Sequence, residues 1–209
     1  MIAVRINGVE SGLRTEGLGR VGDLIELVKT VIDPDHMIIE IEVNGAPISD
    51  DVWSGALQSV TNSHFDFYTS TRVDYLKEQV NKSSKAVQAC YVQFRDARKT
   101  FQAGDTQGGN QRLMVATDTM KSFVDWYSVL LQLATEDQKV QMSLEPAISD
   151  ILSSCKDICQ LQLYKSWWAL GEKIQNELEP QLDRLEDKCR TIVGQFNRMN
   201  AAKSAISGA

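Results

Sequence analysis

The chain has 209 residues, enough for one large or two modest domains, and its 43% hydrophobic and 24% charged content is that of a folded protein, not a disordered one. Four Pro and 13 Gly leave little room for long linkers, and no apolar run reaches the ~18 residues that a spanning helix needs. The net charge of −6 is unevenly spread: residues 1–71 hold eleven carboxylates against four basic side chains, a net of −7, and the remainder carries +1. Composition therefore changes near Arg72, and the acidic first part makes a poor nucleic-acid binder. The opening residues lack the basic stretch and long apolar core of a signal peptide, so a cytoplasmic protein without membrane insertion is expected.

The first 71 residues read as a small sheet with one helix. Ile2, Val4 and Ile6 alternate with Ala3 and Arg5, and Asn7-Gly8 is a two-residue hairpin signal leading to a return strand from Val9. Val21, Leu24, Ile25, Val28 and Ile32 repeat at helical spacing until Asp33-Pro34-Asp35 stops them. Met37–Val43 is a strand with Ile39, Ile41 and Val43 on one face, closed by a second Asn-Gly, Asn44-Gly45. A short strand over 46–49, a helical turn and loop over 50–60 and a last strand over 64–69 complete the order, with Phe65 and Phe67 on one face of that strand.

The order strand, strand, helix, strand, short strand, strand resembles the β-grasp fold of ubiquitin and the sulphur-carrier proteins, as does the turn Val43-Asn44-Gly45-Ala46-Pro47-Ile48. Members of that family that act as carriers do so through a free carboxy-terminal Gly-Gly. Here Thr69-Ser70-Thr71 runs straight into the next helix and the chain ends Ile206-Ser207-Gly208-Ala209, so the resemblance implies a docking domain in preference to a carrier.

The rest reads as a helical bundle. Val73, Leu76, Val80, Ser83, Val87, Cys90, Phe94, Ala97 and Phe101 step by three and four without a break, one apolar seam on a long helix that other helices must cover. Gly104 is placed to terminate it, with a loop over 105–110. The second helix, about 110–133, carries two adjacent seams. One is Leu113, Thr117, Met120, Val124, Tyr127, Leu131 and Ala134; the other holds Ala116, Phe123, Trp126, Leu130 and Leu133. A second seam serves either internal neighbours or a partner protein, because aromatic and Leu anchors at such spacing are how helices bind in grooves.

A third helix is expected from near Ser143, ahead of the competing cap at Thr135, with Ile148, Ile151, Leu152, Cys155, Ile158 and Cys159 as its stripe. It should end near 163–165, with Ser166 or Gly171 as the break before a fourth helix that Pro180 kinks or restarts. Residues 201–209 read as a frayed tail. Trp167-Trp168 is the unusual dipeptide, with side chains about 100° apart on a helix, so that one faces inward and the other is open to a partner.

Chemistry is sparse. Cys90, Cys155, Cys159 and Cys189 read as reduced helical cysteines, and no Cys-x-x-Cys knuckle or nearby His supports a metal among Cys155, Cys159 and Cys189. His36 and His64 lie at a turn and a strand start, and no nucleophile elbow or Glu-x-x-His pair occurs. The expectation is thus an α+β protein with no cofactor and no catalytic role. It would be a β-grasp domain over 1–71 and an elongated antiparallel four-helix bundle over 72–200, binding a protein partner or a second copy of itself. The candidate contact residues are Phe123, Trp126, Leu130, Leu133, Trp167 and Trp168. The helical part is similar in design to bacterial flagellar export chaperones, which hold a client helix, although none of their client-binding motifs is matched. The alternatives are a self-assembling homodimer and a ubiquitin-like carrier or enzyme.

Overall fold

A computed structural model describes residues 2–60 and 62–207, with side chains through residue 198. The chain divides into two compact units, residues 1–75 and 76–209. The boundary lies inside the first turn of a long helix, a few residues beyond the change in composition.

In the first unit, β1 (Ala3–Ile6), β2 (Val9–Glu10), β3 (His36–Val43), β4 (Ala46–Pro47) and β5 (His64–Thr71) form one sheet in the order β2-β1-β5-β3-β4. β1 and β5 are parallel, and every other neighbouring pair is antiparallel. Both tight hairpins form at the Asn-Gly pairs. Asn7 and Gly8 have φ of 50° and 80°, and Asn44 and Gly45 have 56° and 78°, the left-handed pair that such two-residue turns require.

Helix α1 (Val21–Val31) starts where the Asp23 carboxylate accepts from the backbone N–H of Arg20 at 2.9 Å and of Gly19 at 3.1 Å. It buries Val21, Leu24, Ile25 and Val28 against Val4, Ile41, Phe65 and Phe67, at the expected helical and alternating positions. Helix α2 (Asp50–Ser54), capped by Ser49, and a 3₁₀ turn (Leu57–Val60) close one side. One expectation for β3 fails. A bulge between Ile38 and Glu40 leaves Ile39 without a partner in the β5 register, so Ile39 does not share a core face with Ile41 and Val43.

On the opposite sheet face Arg5 pairs with the buried Asp66, Nε to Oδ1 at 2.6 Å. The Tyr68 hydroxyl donates to Glu42 Oε2 at 3.1 Å. That hydrogen bond, with the charge of Glu42, pushes the Tyr68 phenol above its ordinary value.

The second unit is helical: α3 (Arg72–Gln102), α4 (Thr106–Leu133), α5 (Glu136–Gln141), α6 (Glu145–Leu163), α7 (Trp167–Lys173), a π-helical turn (Ile174–Leu178) and α8 (Glu179–Ser207). On α3, eight of the nine seam residues are buried, from Leu76 to Phe101, while Val73 is exposed. Gly104, with φ 84°, ends α3. Its N–H donates to Phe101 O and that of Asp105 to Thr100 O, the paired bonds that satisfy the last carbonyls.

Three local expectations need correction. First, α4 starts at Thr106, four residues before the expected start, because the Asp105 carboxylate accepts from Gly108 N–H at 2.8 Å and caps the helix. Gly108 and Gly109 therefore lie in its first turn. A Cβ on Gly109 would come within 2.6 Å of the Phe101 ring, so only glycine fits where the two helices meet. Second, Thr135 does cap a helix. Its hydroxyl and the Gln138 side chain form a reciprocal box that starts the short α5 ahead of α6. Third, α6 buries Ile148, Ile151, Ser154 and Ile158, whereas Leu152 and Cys159 are exposed. The buried line runs through a serine that hydropathy alone passes over.

From Trp167 to Ser207 the backbone stays helical, but its hydrogen-bonding pattern changes just before Pro180, where the π turn ends at Leu178 and α8 begins at Glu179. The accommodation comes just before the proline: Glu179 N–H donates to Ile174 O, five residues back. Proline has no N–H and its ring crowds the carbonyl four residues earlier, so a wider turn there relieves both problems. Helix α8 is described through Ser207; Gly208 and Ala209, the end of the expected tail, lie outside the described residues.

Candidate partner-binding surface

The six residues read as partner contacts scatter. Phe123 and Leu130 are buried in the chain's own core, at 3% and 1% exposure. Trp126 packs against that core, its ring 5.6 Å from Phe123 and its indole N–H donating to Gln79 Oε1 at 3.2 Å. Leu133 is half-buried. Trp167 is half-buried and stacks on Phe101 with ring centroids 5.4 Å apart and planes within 10°. Trp168 alone of the six stands out, 79% exposed.

The second seam of α4 thus lies in and against the chain's own core. The buried residues of this helix are Gly109, Leu113, Ala116, Met120, Phe123, Tyr127 and Leu130, one line drawn alternately from both supposed seams. Thr117, Val124 and Leu131 flank it on one side and Trp126 and Leu133 on the other, all half-buried. Two seams offset by one residue, about 100° around the helix, are the two shoulders of one broad stripe. The centre is secured by Tyr127, whose hydroxyl donates to Met142 O at 3.0 Å and accepts from Leu144 N–H at 2.9 Å. Burial pushes its phenol above the ordinary value.

Around Trp168 the structure adds two residues that the helical pattern did not single out. Leu163 and Tyr164 are 81% and 80% exposed, so three large apolar side chains stand in solvent within six residues at the α6–α7 corner. The backbone beneath them is tightly closed. Ser166 N–H donates to Leu161 O and Lys165 N–H to Gln162 O, while Lys165 takes φ 55° at the position where glycine is usual.

Side chains also tie the corner down. Gln162 Nε2 donates to Asn110 Oδ1 at 2.8 Å, and Trp167 stacks on Phe101. Lys173 Nζ meets Asp157 at 2.8 Å and Glu177 at 2.6 Å. These hydrogen bonds, to Asp157 first and then Glu177, push the Lys173 ammonium above its ordinary value. A signal for Leu163 was present in the sequence. It lies five residues past Ile158, off the stripe of α6, yet is apolar.

His64 Nε2 lies 3.7 Å from Asp66, and His36 Nδ1 lies 3.2 Å from Thr69 Oγ1. All four cysteines are free thiols. Burial pushes Cys90 and Cys189 up to about 11, and burial with the nearby Cys159 pushes Cys155 up to about 12. Among the described residues no group of three His, Cys, Asp or Glu side chains is placed to hold a metal ion, and no helix is long and apolar enough to cross a membrane. Comparison with protein-family models, curated proteins and solved structures gave no match.

Proposed function

We propose that this chain is a non-catalytic protein-interaction module, an acidic β-grasp domain of the ubiquitin-like kind joined to an antiparallel four-helix bundle, and that it docks on a partner protein through Leu163, Tyr164 and Trp168. The sheet order, with a central parallel pair and one helix packed on it, supports the β-grasp reading of residues 1–71. The docking reading is carried by one observation: three large apolar side chains, each about four-fifths exposed, on a corner whose backbone and flanking side chains are already held. Leaving such surface in water is unfavourable by roughly 25 cal/mol per Å². A contiguous apolar patch on a fixed frame binds without a large further loss of conformational freedom.

The test is a photo-cross-linking amino acid placed at position 168, with the exposed Asp187 as control position, in lysate of the cells that make the protein. One protein cross-linked at 168, absent at 187 and lost when Leu163 and Tyr164 are changed to Ala, is the expected result. Cross-links only to the same chain would assign the corner to self-assembly. The same products at both positions would refute a specific docking surface. The two Ala changes are at exposed sites and should each alter stability by less than ~0.5 kcal/mol.

A further inference from the structure

We infer that the sheet unit carries a second binding site, in which an extended basic segment of another protein adds a strand to the free edge of β3. The edge is open because its cover is short. Strand β4 pairs only with Glu42 and Val43, and Ile48 N–H reaches back to Ile41 O at 3.0 Å. From His36 to Glu40, β3 has β5 on one side and, among the described residues, no strand on the other. Backbone donors and acceptors on such an edge are a template for another chain.

Beside this edge runs a groove of about 500 Å³ between β3, α1 and α2. Its walls are apolar: Ile25 of α1, Ile38 and Ile39 of β3, Ile48, and Trp53 of α2, whose side chain is 52% exposed. The bulge that removes Ile39 from the β5 register accompanies its place in the groove. An added strand would present alternate side chains to these walls.

Charge selects the occupant. Of the charged residues lining the groove, Glu26 and Lys29 neutralise each other at 2.6 Å, which leaves the exposed Glu40 beside the open edge as the charge offered to an occupant. The segment 1–71 that holds the site has a net charge of −7. A second copy of this edge would bring like charge against like charge, whereas a strand bearing Lys or Arg is drawn in. The occupant is therefore a segment of a different protein, alternating aliphatic or aromatic residues with basic ones.

The experiment is selection of random 12-residue peptides displayed on phage against the full chain, followed by titration of the synthesised winners by fluorescence polarisation. The expected winners alternate apolar residues with Lys or Arg. Their affinity should fall at least tenfold with Trp53→Ala or Glu40→Lys, both at exposed positions. It should be unaffected by the double change of Leu163 and Tyr164 to Ala, which separates this site from the helical corner. N-methylation of alternate peptide amides should abolish binding in one of the two registers, because the edge needs main-chain hydrogen bonds. Selection of acidic peptides, failure to enrich any peptide, indifference to both substitutions, or full binding by both N-methylated series would each overturn the inference.

Discussion

Gly109→Ala is a substitution for which helix propensity and packing point in opposite directions. In an ordinary exposed helix the change would stabilise by roughly 0.5–1 kcal/mol. Here the added methyl would lie 2.6, 2.7 and 2.8 Å from three carbons of the Phe101 ring. Carbon atoms settle near 3.5–4.0 Å, so the ring must retreat by roughly 1 Å. Phe101 is 5% exposed and stacked on Trp167, so its retreat disturbs a packed pair. Overpacking of this kind costs typically 1–3 kcal/mol, which leaves a net loss of about 0–2.5 after the propensity gain. Urea unfolding followed by tryptophan fluorescence should show a lower midpoint with an unchanged slope. With Phe101→Leu in the background the penalty should shrink by about 1 kcal/mol or more, the signature of two side chains competing for one space. A Gly109→Ala protein more stable than the parent would refute the argument that α3 and α4 meet at their closest there.

Other outcomes follow from the same geometry. Glu179 is 7% exposed and its Oε1 lies 2.6 Å from Arg98 Nε, so Glu179→Ala should cost about 1–3 kcal/mol, with Arg98 left only the Gln102 and Gln175 side chains as acceptors; replacing Arg98 and Glu179 together by Met should recover most of it, as read by thermal melting. Lys165→Gly should stabilise the chain by roughly 1 kcal/mol, because φ 55° at this position penalises a side chain; an unchanged or lower melting temperature would contradict the strain. In native protein at pH 8 one cysteine, the exposed Cys159, should react fast with a thiol reagent, and Cys90, Cys155 and Cys189 slowly. Their raised values mean that the folded state holds protons the unfolded state releases. Stability from this source is intact below about pH 9 and declines as pH rises toward 11–12, which alkaline urea titrations would record.

Much of the fold was legible because short-range chemistry dictates it. Both Asn-Gly turns, the seam of α3 and its glycine stop follow from backbone sterics and helical period alone. Ser166 rather than Gly171 is the break, since the left-handed Lys165 closes α6 just before it, while Gly171 is buried within α7. What sequence could not show was geometry between elements. The first turn of α4 passes as a glycine loop until the Phe101 ring is seen to fill the space beside Gly109. The doubled seam of α4 resolves into one stripe only when its neighbours define the buried centre. The β3 bulge falls where the alternation of Ile39, Ile41 and Val43 gives way to the apolar run Met37-Ile38-Ile39, a run that also suits a regular strand. Of the candidate site, Trp168 was readable as half of an unusual dipeptide and Leu163 carried a weak signal as an apolar residue off the α6 stripe, but Tyr164 looked like the routine end of a helix.

The π turn before Pro180 has a consequence for how this helix tolerates change in length. The core residues Leu170, Ile174, Leu178 and Leu182 recur every four positions, and Leu185, Cys189 and Phe196 then return to the usual three-and-four rhythm. Three steps of four hold one residue more than a regular helix would place there, and the wide turn absorbs that residue so that both halves keep facing the core. Removing one residue between Ile174 and Leu178 would restore an unbroken heptad through Phe196. It would also force Pro180 into a regular helix, where its ring and missing N–H cost about 3 kcal/mol. The extra residue and the proline are thus mutually compensating. A shortened chain is therefore expected to fold only when the proline is replaced in the same step.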